Sequence, residues 1–585
     1  MDDFKITGQS PDAVFTLTVH RGEGMCLLAM NWKNNERPPD DFVGFMIEYR
    51  EPNSDRFWTL NNRLSFTDAS KISDKSQLST RVSPIQKFRW VHFPSDASLV
   101  GAYSYRVTPV FMSPSGELSY GAAQSVDIAL MRETYAGEFD VGFTRGFISS
   151  QAFVARYGKT EADVATLIPP KATQGNVGLT FKSTNPKATE AYDWMGFEAR
   201  WAILAVLDAA IADPTAQVRI VAYDFNIAEI YDRVCQLQGR VKIIIDDSGT
   251  HGDANSAEST AVQLLSGQLG AANVKREMCG GLQHNKFIVV DGAVAQKAVC
   301  GSTNFSWRAF YVQANNAITV TGKPAITPFV TAFDHYWSAQ PDVPAGAKFD
   351  LGAFEGAGLG GWTKLPLPSL DAELTFSPHS AKETVLQGIA DDIDTVESSL
   401  LYSLAFLYET PGPIKTAITK VTGARDKFVY GISDKKVGGL DVTPPDGNPG
   451  VVYPQALSAN VPPPFSAEPT AGSGARMHHK FVVIDFDKPS ARVYVGSFNF
   501  SGAADRRNGE NLMLIKDRRV TTAFAVEALS LFDHYHFRVV SGQHHDNDTP
   551  LVLAKPPGAG QKPWFDDDYT VSYKIRDRQI FADPS

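Results

Sequence analysis

Two short histidine–lysine motifs in this chain have the residue types needed to hold and cleave a phosphate ester. His284 and Lys286 form the first motif, and His478 and Lys480 form the second. A lysine ammonium stabilises anionic oxygens, and an imidazole can attack phosphorus or pass a proton to a leaving oxygen. The sequence therefore predicts phosphodiester chemistry in which both histidines are catalytic and both lysines bind the substrate phosphate.

Each motif belongs to a repeat whose landmarks recur in the same order later in the chain. The paired landmarks are HNKFIVVD (284–291) with HHKFVVID (478–485), GSTNFS (301–306) with GSFNFS (496–501), and FDHY (333–336) with FDHY (532–535). Matching landmarks in register indicate a duplicated domain. We therefore expect one active site to which both copies contribute.

The elements that carry the motifs follow from β-strand geometry. Side chains two residues apart share one face of a strand, so the histidine and lysine of each motif point the same way. The glycine–serine turn after the next strand can bring an amide and a hydroxyl to the same rim. The side chains predicted there as phosphate ligands are Asn304, Asn499, Ser302 and Ser497. Asp291 and Asp485 end the motif strands on the opposite face, and we predict a structural role for them.

The two copies differ eleven residues after the asparagine of each turn. Glu510 occupies that position in the second copy and Asn315 in the first. If these side chains contact the histidines, the carboxylate stabilises a cationic imidazole. On this reasoning the sequence favours His478 as the proton donor and His284 as the nucleophile.

Two copies of H-x-K-x4-D, each followed by G-S-x-N, resemble the phospholipase D superfamily, which includes phospholipases D, cardiolipin synthases and nucleases. The resemblance covers about 160–585 and implies two similar α/β halves with the site at their interface. It implies that the motif histidines, lysines and asparagines form the shared site, and in many two-half members the first-half histidine is the nucleophile. A zinc site is the rival use of paired histidines. Adjacent lysines disfavour a metal cation, so we expect neither metal nor cofactor.

Three domains are predicted around this repeat. Residues 1–135 show short alternating strands separated by turn residues and predict an all-β module. Trp32, Tyr103 and Tyr105 give that module a resemblance to fibronectin type III or immunoglobulin-like sandwiches. Residues 136–365 and 366–585 alternate helix and strand patterns and predict two phospholipase D-like α/β halves packed around one active site.

Composition narrows the choice of partner. The net charge is −10 and the pI is about 5.7, which weighs against a protein held nonspecifically on duplex DNA. The N-terminal sequence shows no secretory signal and the chain no membrane-spanning run, which predicts a cytoplasmic protein or export by a signal-independent route. We expect a monomer.

The sequence thus favours a hydrolase of phospholipase D type that acts on phospholipids or at a membrane surface, through a phosphohistidine, with transphosphatidylation as a second outcome. The segment 436–476, rich in proline, glycine and apolar residues just before His478, favours a bulky lipid substrate. Two alternatives stay open. One is a metal-independent nuclease of the same superfamily, and the other is a noncatalytic phosphate- or lipid-binding module.

Overall fold

The computed structural model divides into two units. It describes residues 3–94, 96–130, 133–146, 157, 165–338, 349–407, 411–424, 426–433, 451–452, 477–546 and 551–582. One unit comprises Met1–Arg132 together with Thr522–Ser585, and the other comprises Glu133–Thr521. We refer to them as the β unit and the α/β unit. None of the described helices combines the length and the apolar composition that a bilayer crossing requires.

Two antiparallel sheets form the β unit. The first sheet contains β1 (Lys5–Thr7), β2 (Phe15–Arg21), β3 (Cys26–Trp32) and β6 (Arg89–His92). The second contains β4 (Phe42–Arg50), β5 (Trp58–Thr59), β7 (Ala102–Met112), β8 (Leu118–Tyr120) and β9 (Gln124–Ala129). Alternate residues of both sheets, such as Phe15 and Phe45, share one buried core. The β-rich module predicted at the N-terminus is therefore present.

The C-terminal residues complete this core. Phe565 is fully buried in it, and the His20 ring lies 2.6 Å from the Phe581 carbonyl oxygen. The helices Asp567–Thr570 and Ser572–Ala582 lie in this segment. The predicted third domain, 366–585, differs from the structure here, because 522–585 groups with the N-terminal module. Periodicity cannot reveal which core a terminal segment joins, since many cores accept an aromatic side chain.

The first half of the α/β unit is built on a seven-stranded mixed sheet. Its spatial order is β10 (Phe139–Phe143), β16 (Asn316–Thr321), β15 (Gln296–Gly301), β14 (Lys286–Asp291), β11 (Gln217–Ala222), β12 (Val241–Asp246) and β13 (Val274–Glu277). Its helices are Val177–Thr180, Ala188–Ala212, Ala228–Leu237, Ala257–Leu269, Trp307–Tyr311, Lys323–Ser338 and Leu351–Gly356. The motif strand β14 lies between β15 and β11, so the first histidine is anchored in the centre of the sheet.

The second half repeats this order. Its sheet runs β17 (Thr363–Lys364), β18 (Asp371–Ser377), β24 (Glu510–Lys516), β23 (Arg492–Gly496), β22 (Lys480–Ile484), β19 (Ser399–Leu404), β20 (Phe428–Ile432) and β21 (Val451–Val452). Its helices are Val385–Ile393, Pro413–Gly423, Gly502–Arg506 and the start of Arg518–Asp546. The motif strand β22 lies between β23 and β19, in the position that β14 occupies in the first half. The duplicated α/β fold predicted from the repeat is confirmed.

Candidate active site

The two halves of the α/β unit meet along two short parallel bridges beside the motif histidines. Gln283 pairs with Gly509, and Ala314 pairs with Met477. The backbone N–H of His478 also donates to the Ala314 carbonyl over 3.1 Å. Gln283 and Met477 each directly precede a motif histidine. Each bridge therefore places a histidine of one half against the turn of the other half.

His284 is held by a carboxylate from the second half. Its Nδ1 lies 2.7 Å from Oε2 of Glu510, and both side chains are buried. The same Oε2 accepts a hydrogen bond from the Ser497 hydroxyl at 2.7 Å, and Oε1 accepts one from the Asn508 amide at 3.3 Å. Binding at Nδ1 leaves Nε2 of His284 as the nitrogen available for chemistry.

His478 is held in the same way by an amide from the first half. Its Nδ1 lies 2.9 Å from Oδ1 of Asn315 and 3.1 Å from the Ser302 carbonyl oxygen. The Asn315 amide donates to the Ala309 carbonyl at 3.0 Å, and the Ser302 hydroxyl donates to Asn315 Oδ1 at 3.0 Å. Because Oδ1 faces the ring, Nδ1 of His478 carries the proton, which leaves Nε2 as the nitrogen available for chemistry.

This pairing reverses one sequence-based prediction. Glu510 was expected to stabilise a cationic His478, but its carboxylate contacts His284 and Asn315 contacts His478. The sequence places Glu510 in the same copy as His478, whereas the interface exchanges the partners between halves. Of the two motif histidines, His284 is therefore the one whose cationic form Glu510 is placed to stabilise.

The two serines of the glycine–serine turns also differ from their predicted role. Ser302 and Ser497 are fully buried and donate to the side chains that hold the histidines. Each hydroxyl also accepts a backbone N–H, from Asn316 at 2.9 Å and from Asn511 at 3.0 Å. With these bonds they position the histidine partners and are not free to bind phosphate.

Both lysines sit directly beside their histidines. The ammonium of Lys286 donates to the carbonyl oxygen of His284, and that of Lys480 donates to the carbonyl oxygen of His478 at 2.8 Å. Lys286 also lies 4.7 Å from the centre of the Tyr223 ring. These contacts leave donor positions on each ammonium, which is compatible with the phosphate-binding role predicted for both lysines.

Burial shapes the protonation of all five ionisable groups at the site. It lowers the pKa of Lys286 to about 7 and moves the pKa of Lys480 well below its ordinary value, the latter with a contribution from Lys286. Burial and the two lysines hold the pKa values of His284 and His478 well below the usual range. Burial also raises the pKa of Glu510 to about 8, against the opposing effect of Lys286. An anionic phosphate would favour the charged forms of the lysines and histidines.

The motif asparagines carry a further sign of a ligand site. Oδ1 of Asn304 and Oδ1 of Asn499 are buried and accept no hydrogen bond within the described part of the chain. A buried amide oxygen without a hydrogen-bond partner costs free energy. Because the same unsatisfied oxygen occurs at equivalent positions of both halves, it indicates that both asparagines serve the same ligand site. Because amide oxygen and nitrogen are interchangeable by rotation, either end can face a phosphate oxygen or a water.

The motif aspartates lie away from the histidines and bind structural partners. Asp291 accepts two hydrogen bonds from the Lys323 ammonium, at 2.6 and 2.7 Å. Asp485 accepts the backbone N–H groups of residues 397–399 at 2.8 to 3.2 Å. These contacts support the structural role predicted for both carboxylates.

The residue between histidine and lysine in each motif joins the interface. Oδ1 of Asn285 accepts a hydrogen bond from the Asn511 amide at 3.0 Å. Nδ2 of Asn316 lies 3.1 Å from Nδ1 of His479. Sequence reasoning missed these pairs, although the matching asparagines directly after Asn315 and Glu510 were a usable signal.

The glycines of the two turns are required by close packing. A side chain on Gly301 would approach the Asn316 carbonyl oxygen to 2.6 Å, and Gly301 has a φ of +137°. A side chain on Gly496 would approach the Asn511 carbonyl oxygen to 2.2 Å. Only glycine therefore lets the turn lie against the strand that carries the histidine partner.

A cluster of acidic residues and one histidine borders His284 and was not predicted from the sequence. Nδ1 of His251 lies 2.8 Å from Asp246 and Nε2 lies 3.2 Å from Asp224. Burial lowers the pKa of His251, but the bonds to these carboxylates outweigh it and raise the value to about 10. The Tyr223 ring separates the rings of His251 and His284, with 4.6 Å between centroids on each side. Asp224, His251 and Glu258 offer ligand atoms within 4.8 Å of one another and are the described residues best placed to hold a metal ion.

A known protein family matches the two parts of the chain that carry the motifs. Residues 207–337 and 445–532 match the family model described as cardiolipin synthase, phospholipase D-like domain. The two matched segments contain the two motif strands.

Short curated relatives match as well. A phospholipase D of Rickettsia felis is 45% identical over 47 residues, which is 8% of this chain and 22% of the relative. A phospholipase D of Rickettsia prowazekii is 45% identical over 47 residues, 8% of this chain and 21% of the relative. The chain thus spans about a fifth of the length of the curated relatives it matches.

Two solved structures resemble the chain more loosely. Phosphatidylserine synthase of Haemophilus influenzae is 16% identical, with a TM-score of 0.38, over 65% of this chain and 93% of the other. The phospholipase D family member Nuc of Salmonella typhimurium is 21% identical, with a TM-score of 0.17, over 29% of this chain and 93% of the other. The two segments matched by the family model and the repeated sheet order show that the α/β unit of this chain contains a duplicated phospholipase D-like domain.

Proposed function

We propose that this chain is a phosphodiesterase that cleaves phospholipids through a phosphohistidine intermediate, with His284 as nucleophile and His478 as general acid and base. The observation that carries the proposal is the paired anchoring of the two rings, each bound at Nδ1 by a side chain of the other half. This leaves two Nε2 atoms beside two buried lysines. One phosphodiester between them would meet a nucleophile, an acid and two positive charges.

In the first step Nε2 of His284 attacks phosphorus, and the bond from phosphorus to the leaving oxygen breaks. That oxygen takes the proton from Nε2 of His478, which substrate binding has protonated. The phosphorylated His284 ring is formally cationic because its Nδ1 keeps a proton. The Glu510 carboxylate stabilises this charge, which is why we assign the nucleophile to His284 rather than to His478.

In the second step Nε2 of His478 takes a proton from water, and the water oxygen attacks phosphorus. The phosphorus–nitrogen bond breaks and its electron pair returns to Nε2 of His284. An alcohol in place of water gives transphosphatidylation by the same route. Lys286 and Lys480 bind the non-bridging oxygens in both steps, with the amides of Asn304 and Asn499 as neutral donors.

The lipid substrate class is supported by the names of the similar proteins. The matching family model is described for cardiolipin synthases, and the matched curated relatives are named phospholipases D. The segment 436–476, predicted to favour a bulky substrate, lies almost entirely outside the described residues. Its role stays a prediction.

Turnover of three substrates tests the proposal. One preparation of the full chain is assayed on phosphatidylcholine vesicles, cardiolipin vesicles and single-stranded DNA, with His284→Ala as the control for contaminating activity. We expect release of head group or phosphatidic acid from at least one lipid, absent in the control. Cleavage of DNA alone would replace the lipid assignment with the nuclease alternative. Tight binding of lipid without turnover would indicate a noncatalytic module.

A further inference from the structure

The helices that follow the two glycine–serine turns carry different charged residues, Arg308 in the first half and Asp505 with Arg506 in the second. The segments 301–316 and 496–511 align without a gap, from the turn glycine to the asparagine after the histidine partner. In this alignment Arg308 of the first half corresponds to Ala503 of the second. Asp505 and Arg506 pair with each other at 2.7 Å, whereas Arg308 has no ion-pair partner among the described residues.

Arg308 lies on the part of the first half that holds His478. It is in the short helix Trp307–Tyr311, and its neighbour Ala309 accepts the amide of Asn315 at 3.0 Å. Asn315 in turn holds the His478 ring at 2.9 Å. The backbone of Ala309, the residue after Arg308, is thus two hydrogen bonds away from the proposed acid–base histidine. His284 has no equivalent cation, because Ala503 occupies the matching position.

No described residue neutralises the charge of Arg308. Within the described ranges its guanidinium forms no ion pair and no hydrogen bond, and its Nε is buried. Its charge also contributes to the lowered pKa of His478, after burial, the two site lysines and His284. A partly buried guanidinium without a partner is costly, and a bound anion would remove that cost.

We propose that Arg308 binds a second anionic group of the substrate, a phosphate carried by the alcohol that leaves from, or attacks, the phosphodiester at His478. This inference rests on the proposed function, which places the alcohol oxygen at Nε2 of His478. A guanidinium near that oxygen favours an alcohol that bears phosphate over an uncharged one. Glycerol phosphate head groups and nucleotides share this chemistry.

Acceptor competition tests the proposal. The full chain cleaves a p-nitrophenyl phosphodiester in the presence of an uncharged alcohol or its phosphorylated counterpart, and mass spectrometry measures transfer to each. The pairs are glycerol with glycerol 3-phosphate, and thymidine with thymidine 3′-phosphate. We expect the phosphorylated alcohol to be preferred by about tenfold, the value of one charge-assisted hydrogen bond. The pair with the larger preference identifies a lipid head group or a nucleic acid as the source.

Three variants test whether the preference for a phosphorylated alcohol depends on Arg308. Arg308→Gln should reduce the preference to near one, and Arg308→Lys should keep most of it. Arg507→Gln is the matched control, because it removes an exposed arginine from the equivalent turn of the second half. It should leave the preference as in the unchanged protein. Circular dichroism confirms that each variant is folded.

The outcomes separate this proposal from the proposed function. No release of p-nitrophenolate by the unchanged protein would overturn the proposed function. Calorimetric titration of His284→Ala with glycerol 3-phosphate and with glycerol, with and without Arg308→Gln, then still tests the anion site. A preference near one in the unchanged protein, or an unaltered preference in Arg308→Gln, would overturn the assignment of Arg308.

Discussion

The two histidine networks have the same hydrogen-bonded plan and differ in one functional group. In each network a serine hydroxyl and an imidazole Nδ1 contact the same side-chain oxygen atom. That oxygen belongs to the half that carries the serine, and the histidine comes from the other half. That oxygen belongs to a carboxylate beside His284 and to an amide beside His478. Duplication thus preserved the geometry, while the exchange of a charged for a neutral acceptor separates a ring suited to carry positive charge from one suited to move protons.

Removal of each histidine should give the largest and most different effects. His284→Ala should lower kcat on a p-nitrophenyl phosphodiester by about 10⁴-fold or more, with no phosphoenzyme, because the nucleophile is gone. His478→Ala should lower steady-state kcat by about 10²- to 10⁴-fold, the usual worth of a general acid and base. Since p-nitrophenolate leaves without a proton, phosphorylated His284 should accumulate in this variant.

Intact-protein mass spectrometry after rapid quenching detects the adduct. An adduct on His478 in the His284→Ala protein, together with none in the His478→Ala protein, would reverse the two roles.

Substitution of the two side chains that accept from the histidines, Glu510 and Asn315, tests the difference between the two networks. Glu510→Gln keeps the shape but removes the charge that stabilises phosphorylated His284, so kcat should fall by about 10²-fold. Asn315→Asp adds a charge that raises the pKa of His478, and we expect a smaller loss, about tenfold or less. Steady-state kinetics on the same diester measure both. A greater loss in Asn315→Asp than in Glu510→Gln would contradict the assignment of charge to His284.

The pH dependence of kcat/KM should reflect the protonation of Lys286 and Glu510, and we expect this effect to be moderate. Lys286, with its pKa lowered to about 7, loses its charge as pH rises, so affinity for an anionic diester and kcat/KM should fall on the alkaline side. Glu510, with its pKa raised to about 8, is protonated as pH falls and stops stabilising His284. The profile should therefore be a narrow bell with its maximum between pH 7 and 8.

Two substitutions test which residue causes each limb of the pH profile. Lys286→Arg keeps a positive charge at high pH and should flatten the alkaline limb. Glu510→Gln should flatten the acid limb. Limbs that persist in both variants would show that other groups control the profile, since coupled sites titrate together.

Chelation should have the smallest effect. The two lysines supply the positive charge of the proposed mechanism, so excess EDTA should leave kcat unchanged on the chromogenic diester. A full loss restored by a divalent ion would instead implicate the cluster of Asp224, His251 and Glu258. Glu258→Gln, which removes one ligand of that cluster, would then reproduce the loss without chelator.

The sequence by itself predicted the duplicated fold and the two histidine–lysine motifs around which the candidate site is built. Alternation along a strand predicted that His284 shares a face with Lys286 and His478 with Lys480, and the repeat placed a glycine–serine turn after each motif. These features depend on neighbours a few residues apart, which a linear pattern records. The aspartates at the strand ends were likewise recognisable as structural from their opposite face.

Only the tertiary structure decided which groups meet across the interface. The pairing of Glu510 with His284 joins residues 226 positions apart, and that of Asn315 with His478 joins residues 163 positions apart. Segment 522–585 joined the β unit for the same reason, because Phe565 fills a core whose other members lie near the N-terminus. A repeat fixes what each half contains, but contact between halves depends on how two sheets pack, and that is set by side-chain shapes along the whole interface.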